Sequence, residues 1–181
     1  MRVLLIIDMQ IAMFSPDSQM FDLDAVIERI NLLADILRKR GDQVIFIQHD
    51  GSNEEFCMPG TEGFEILPAL SVGEDDLLIS KTANDSFYKT KLQEQLDRPD
   101  LDELIITGIS TDFCVDATIK SAIVKDYHVT VISDAHTTDD KPHLRAEQLI
   151  DHYNWVWTMM PPTTSKINVT SFNDYIKFIN N

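Results

Sequence analysis

The stretch Leu104-Ile105-Ile106-Thr107-Gly108-Ile109-Ser110-Thr111-Asp112-Phe113-Cys114-Val115 decides the fold. An apolar run ends at a glycine, a polar turn follows, and a helical pattern opens through Ala117-Thr118-Ile119 and Ala122-Ile123-Val124. The segment therefore reads as a strand, a turn and a helix, with Cys114 in the first helical turn. A helix N-terminus presents N–H groups without intrahelical partners and a partial positive charge, which favour a thiolate and can hold an oxyanion. Cys114 is thus a candidate nucleophile. A free cysteine is also among the most buried residue types and packs well as a small apolar group, so the rest of the chain has to separate the two readings.

Outward from this unit the same alternation recurs. Residues 3–7 form an unbroken apolar run ending at Asp8, as expected of a central strand covered on both faces. In residues 23–40 the apolar positions Val26, Ile27, Ile30, Leu33, Ala34 and Leu37 follow a 3.6-residue period, and Gly41 stops the helix after Arg38-Lys39-Arg40. Further strands are predicted at 44–47, 77–80, 104–107, 129–132 and 155–157, with helices at 91–96, 143–151 and 172–179. The pattern predicts an α/β fold: a three-layer α/β/α sandwich around a doubly wound, mostly parallel six-stranded sheet of order 3-2-1-4-5-6. Such sheets place their sites beyond the carboxyl ends of the strands, where the strand order switches. That crevice lies between the first strand, ending at Asp8, and the fourth, leading to Cys114. Lys81 ends the third strand on the same rim.

The chain of 181 residues fits a single domain over 1–181, with 161–181 expected as a C-terminal extension at a subunit contact. A formal net charge of −15 argues against nucleic acid and anionic membranes as partners and leaves a small-molecule substrate. No apolar run approaches the ~20 residues of a membrane helix. The apolar start is short, ends in an acid and lacks a small-residue cleavage site, so it reads as a strand rather than a leader. Two cysteines without CxxC spacing predict free thiols in a reducing, cytoplasmic setting.

A cysteine near a carboxylate and an ammonium is equipment for nucleophilic acyl chemistry. Lys81 and the helix start would favour the thiolate, while Asp8 would take its proton and return it to a leaving amine. Other readings stand beside this one. Asp8 could accept a phosphoryl group or bind a metal, although such chemistry generally wants a second acid where Gln10 stands. Lys81 could be a solvated strand end, the chain could bind a ligand without turning it over, and Thr111 and Asp112 read as helix caps. The long segment 48–63, with His49, Asp50 and Cys57, is expected to be functional or mobile. Segments 14–22, 48–63 and 82–90 are expected to set specificity, with Phe14, His49, Tyr88 and Phe113 as candidate substrate-binding walls.

Taken together, Ile7-Asp8-Met9-Gln10, Pro59-Gly60-Thr61-Glu62-Gly63, Lys81 with Ser86-Phe87, Gly108 to Val115 and Ser133-Asp134-Ala135 resemble the isochorismatase-like cysteine hydrolases. That family includes nicotinamidases, N-carbamoylsarcosine amidohydrolases and ureidoacrylate amidohydrolases, and the resemblance covers about residues 1–157. It implies a triad of Asp8, Lys81 and Cys114, a cis peptide at Ile109–Ser110, and an oxyanion hole from the N–H groups of Ser110 and Cys114. It also implies hydrolysis of a small amide or carbamoyl compound through a thioester, and assembly as a homodimer or homotetramer. Isochorismatases proper act on a vinyl ether and lack the cysteine, so Cys114 points to amide chemistry. Nicotinamidases of the family hold a metal through an Asp-x-His pair and a further histidine. Here the second strand ends Gln48-His49-Asp50 and the next histidine is His128, so no metal and no other cofactor is expected.

Overall fold

The computed structural model describes residues 1–14, 19–161 and 163–180. Six strands run β1 (Arg2–Ile7), β2 (Gln43–His49), β3 (Leu77–Lys81), β4 (Glu103–Ile109), β5 (Val129–Thr137) and β6 (Ile167–Thr170). They form one sheet in the order β3-β2-β1-β4-β5-β6, parallel at every pairing. The helices are α1 (Leu23–Lys39), α2 (Leu92–Leu96), α3 (Asp116–Val124), α4 (Ala146–Met159) and α5 (Phe172–Asn180). This is the three-layer, doubly wound arrangement that the pattern predicts. No helix among the described residues is long and apolar enough to cross a membrane.

The unbroken apolar run of β1 has a direct cause. Val3, Leu5 and Ile7 face one core, with Val115, Ile119 and Trp157, while Leu4 and Ile6 face the other, with Val26, Ile30, Leu33 and Tyr175. A strand at the centre of a sheet has no solvent face, so alternation disappears from its sequence. On α1 the buried positions Val26, Ile30, Leu33, Ala34 and Leu37 are those of the 3.6-residue period. Gly41, at φ 77°, then turns the chain into β2.

The sixth strand lies elsewhere than expected. Trp155-Val156-Trp157 is inside α4, where Trp157 is fully buried and Trp155 is 60% exposed. The alternating exposure of this triplet mimics a strand, but over the longer window Ala146, Leu149, Ile150 and Trp157 are buried at helical spacing. Trp157 packs within its own chain and donates Nε1–H to Asp116 Oδ1 at 3.0 Å. The strand itself is Ile167–Thr170, pairing Val129 to Ile132 of β5 with Ile167 to Thr170. The C-terminal segment is thus part of the sheet, and α5 buries Tyr175 and Ile179 against it.

Candidate active site

Three strand ends converge on one spot. β1 lies between β2 and β4, with Ile7 registered against Ile47 and Gly108. Beyond Ile7 the chain turns at Asp8, whose φ of 53° is a left-handed conformation that Asp tolerates better than most residues. Gly108, at φ 110°, is where β4 must come close: a Cβ there would sit 2.3 Å from the Ile7 carbonyl oxygen. Glycine is therefore required at this position, and it brings the turn after β4 against Asp8. The Ile109–Ser110 peptide is cis. Residues Thr111–Val115 then form a π-helical turn that carries Cys114 into α3. Lys81 comes from β3, two strands from β1, and its long side chain passes over the end of β2 to reach Asp8.

The side chains meet in near-complete burial. Lys81 Nζ lies 2.7 Å from Asp8 Oδ2, with relative side-chain exposures of 0% and 2%. It also donates to Ala83 O at 2.9 Å and to Cys114 Sγ at 3.3 Å. The ion pair has a hydrogen bond's length without its angles, and neither Asp8 oxygen accepts a well-directed hydrogen bond. Burial pushes the Asp8 carboxyl above the usual carboxylate range, against the opposing pull of the Lys81 charge. Burial first, and the Asp8 charge second, push the Cys114 thiol up to about 12. The expected resting thiolate is therefore not favoured. A thiolate beside an ionised Asp8 would leave two buried anions facing one cation. If the proton passes from sulfur to Asp8, the cluster keeps zero net charge, so the two groups titrate as a pair.

The π-helical turn is held from below. Thr111 Oγ1 is 2.9 Å from Nδ1 of the buried His136, whose Nε2 is 3.1 Å from Asn154 Oδ1. Burial drives the His136 pKa down to about 4, so the imidazole is neutral at physiological pH. Asp112 accepts from Thr138 Oγ1 at 2.6 Å and pairs with Lys141 at 3.4 Å. Thr111 and Asp112 are thus turned toward β5 and its following loop, and neither caps the helix, which starts without a side-chain cap. Gln10 does comparable work at β2. It accepts from His49 N–H at 2.7 Å and donates to His49 O, Phe64 O and Cys57 Sγ at 3.0–3.1 Å.

Above Asp8 and Cys114 opens a cleft of about 220 Å³, lined by Met13, His49, Glu54, Phe56, Asn84, Ile109, Ser110 and Phe113. Larger clefts exist, of about 520 Å³ beside Met20 and Arg145 and about 550 Å³ beside Phe64 and Leu78, but neither contains a nucleophile. The volume lies below the ~300–1,000 Å³ of drug-sized sites and suits a small molecule. Among the described residues no three His, Cys, Asp or Glu side chains are grouped to hold a metal ion. His49 Nε2 is turned toward Glu54 Oε2 at 3.4 Å.

Residues 2–158 match the family model of the Isochorismatase domain. The chain belongs to the isochorismatase family. It is similar to a streptothricin hydrolase of Streptomyces noursei, with 31% identity over 78% of this chain and 56% of that protein. It also resembles a ureidoacrylate amidohydrolase of Methylorubrum extorquens, with 27% identity over 58% of this chain and 43% of that protein. The chain thus spans about half the length of these curated relatives. A solved isochorismatase family protein superposes with a TM-score of 0.85 and 30% identity, covering 94% of this chain and 98% of that one. A cysteine hydrolase from Pseudomonas syringae pv. phaseolicola superposes with a TM-score of 0.88 at 21% identity over 99% and 92%, a likeness of fold.

Within this isochorismatase fold, Asp8, Lys81, Cys114, Ser110, His49 and Phe113 share the site. Phe14 packs instead against the core on the α1 side. Tyr88 is 50% exposed with Lys89 Nζ 5.0 Å from its ring centroid, and it does not line the cleft. Residues 15–18, part of the segment expected to set specificity, lie outside the described residues. Met13, Glu54, Phe56 and Asn84 line the cleft and carry no sequence signal as individuals. Glu54, Phe56 and Asn84 fall in the segments 48–63 and 82–90, and Asn84 is placed there by the Ser86–Thr118 bonds that tie its loop to α3. A loop lacks the periodicity that tells which side chain points inward.

Proposed function

We propose that this isochorismatase-family chain is a cysteine-dependent hydrolase of a small amide or carbamoyl compound, working through a thioester. The observation that carries it is the buried contact of Lys81 Nζ with both Asp8, at 2.7 Å, and Cys114 Sγ, at 3.3 Å, at the floor of a cleft. A lysine this buried is uncommon and is expected only where its charge is used.

The steps follow from the charge balance. Cys114 passes its S–H proton to Asp8 as the sulfur attacks the carbonyl carbon, and Lys81 stays beside the sulfur. The oxyanion is received by the N–H groups of Ser110 and Cys114, each such donor contributing about 3–4 kcal/mol to the transition state. The tetrahedral adduct collapses, the C–N bond breaks, and Asp8 gives its proton to the departing ammonia or amine. Asp8, again a carboxylate, takes a proton from water as the hydroxyl attacks the thioester. The C–S bond breaks, the acid leaves, and Asp8 returns the proton to sulfur. Cys114→Ala should abolish ammonia release from any true substrate while the circular dichroism spectrum is retained. Residual turnover within about tenfold of the wild type would defeat the reading.

A further inference from the structure

The turn that carries Cys114 departs from an α-helix at one carbonyl. Ser110 O accepts from Phe113 N–H at 3.0 Å and from Val115 N–H at 3.2 Å, the residues on either side of Cys114. In an α-helix the same carbonyl would take the Cys114 N–H, because the bond runs to the fourth residue on. Relaxing residues 111–115 to a regular helix would therefore spend the Cys114 N–H on Ser110 and withdraw it from an oxyanion. Such π turns are rare and persist where surrounding contacts hold them.

The holding contact comes from the neighbouring strand. Gly108 and Ile109 of β4 pair with His136 and Thr137 of β5 only after a register shift beyond Ile106, an irregularity of the kind that re-aims side chains. His136, 1% exposed, meets Thr111, 0% exposed. The direction of each hydrogen bond is fixed from the far end. Ser133 O can only accept, and it takes Asn154 Nδ2–H at 3.0 Å. Asn154 therefore turns Oδ1 to His136 Nε2 at 3.1 Å, and Nε2 carries the ring proton. Nδ1 of the neutral ring is left to accept from the Thr111 hydroxyl at 2.9 Å. The edge-on Trp157 ring, with centroids 5.1 Å apart, packs against the imidazole. A buried polar chain satisfied at every link is rigid. Neither His136 nor Asn154 lines the cleft of Cys114.

We propose that His136, oriented by Asn154, is a positioning residue: through the Thr111 hydroxyl it keeps residues 111–115 in the π turn and the Cys114 N–H free for the oxyanion. It touches no substrate and acts through the backbone. This assignment rests on the hydrolase reading and adds a residue to it.

The probe is 4-nitrophenyl acetate, whose acyl transfer to sulfur passes through the same kind of oxyanion, with the rate of Cys114→Ala subtracted. His136→Leu and Asn154→Leu break the chain of bonds, whereas His136→Gln keeps one acceptor and one donor on a planar group. Breaking the chain should lower kcat by about 10²-fold with KM within about threefold, and His136→Gln should restore most of the loss. A lowered melting temperature with unchanged kcat means a structural role alone and overturns the proposal. An equal loss in His136→Gln and His136→Leu overturns it too. Should His136→Leu fail to fold, the half-buried Asn154 supplies the deciding variant. Amide hydrogen exchange, followed by NMR, gives a readout apart from activity. The Cys114 amide should exchange faster than that of Val115 in the wild type, and the order should reverse in Asn154→Leu. An order unchanged by the substitution overturns the proposal. Nitrophenolate release no faster in the wild type than in Cys114→Ala defeats the hydrolase reading instead, and the exchange order then judges the turn by itself.

Discussion

Replacing Lys81 by Met keeps the volume of the side chain and removes its charge, leaving Asp8 buried with no cation. At 2.7 Å and an effective dielectric constant of about 20, the attraction lost is about 6 kcal/mol, partly offset because the ammonium no longer needs desolvating. The loss has a ceiling, because Asp8 can neutralise itself by taking a proton. Holding a carboxyl with an unfolded pKa near 3.9 protonated at pH 7 costs about 4 kcal/mol, so the variant should lose about 3–4 kcal/mol. The sign follows from proton counting. Folded Lys81→Met binds one proton more than its unfolded chain, so its stability falls as pH rises, by about 1.4 kcal/mol per pH unit wherever the unfolded carboxyl is ionised. In the wild type the Asp8 pKa is also raised, though Lys81 opposes the shift, so the same loss sets in there only up to that pKa. The gap between the two proteins should therefore open as pH climbs past the raised Asp8 pKa of the wild type. Urea denaturation of both proteins at several pH values reads this directly. A gap below about 1 kcal/mol at pH 7, or one that does not change with pH, refutes the picture of a buried ion pair. Asp8→Asn in the same background should recover most of the lost stability, since no buried charge then remains.

The raised Asp8 pKa puts the acid limb of kcat/KM above the ordinary carboxylate range, since activity needs the ionised base; a limb at or below pH 4 would contradict that assignment. Resting Cys114, with its pKa pushed up to about 12, should be alkylated slowly by iodoacetamide at neutral pH and faster as pH rises, as followed by mass spectrometry. Gly108→Ala would set a Cβ 2.3 Å from the Ile7 carbonyl oxygen at a positive φ, and should lower the unfolding free energy by about 3 kcal/mol or more, measured by thermal or urea unfolding. Thr111→Val leaves His136 Nδ1 without its partner, and should cost about 1–3 kcal/mol while slowing turnover through the displaced Cys114 turn.

Much of this molecule could be read before its structure. The apolar runs of β1, β2 and β4 and the 3.6-residue stripe of α1 depend on burial alone, and local pattern reports burial faithfully. The meeting of Asp8, Lys81 and Cys114 was legible for a related reason: in a doubly wound sheet the carboxyl ends of the strands stand on one rim, so topology brings these side chains together. Trp155-Val156-Trp157 misled because three alternating residues fit both a strand and one helical turn. Ile167–Thr170 went unread because an edge strand packed against a helix on one side keeps too little apolar signal in four residues.

What the sequence by itself determined is therefore the first five strands, the order of the sheet and the rim on which Asp8, Lys81 and Cys114 meet, since these follow from burial and chain direction. The tertiary structure decided their state and surroundings. Burial and the facing Asp8 charge, set by the packing of three separate strands, keep the Cys114 sulfur protonated. The folding of residues 50–64 against Gln10 brings Glu54 and Phe56 beside the cleft and leaves Phe14 and Tyr88 away from it. Electric fields and loop contacts add up over groups distant in the chain, so no local pattern records them.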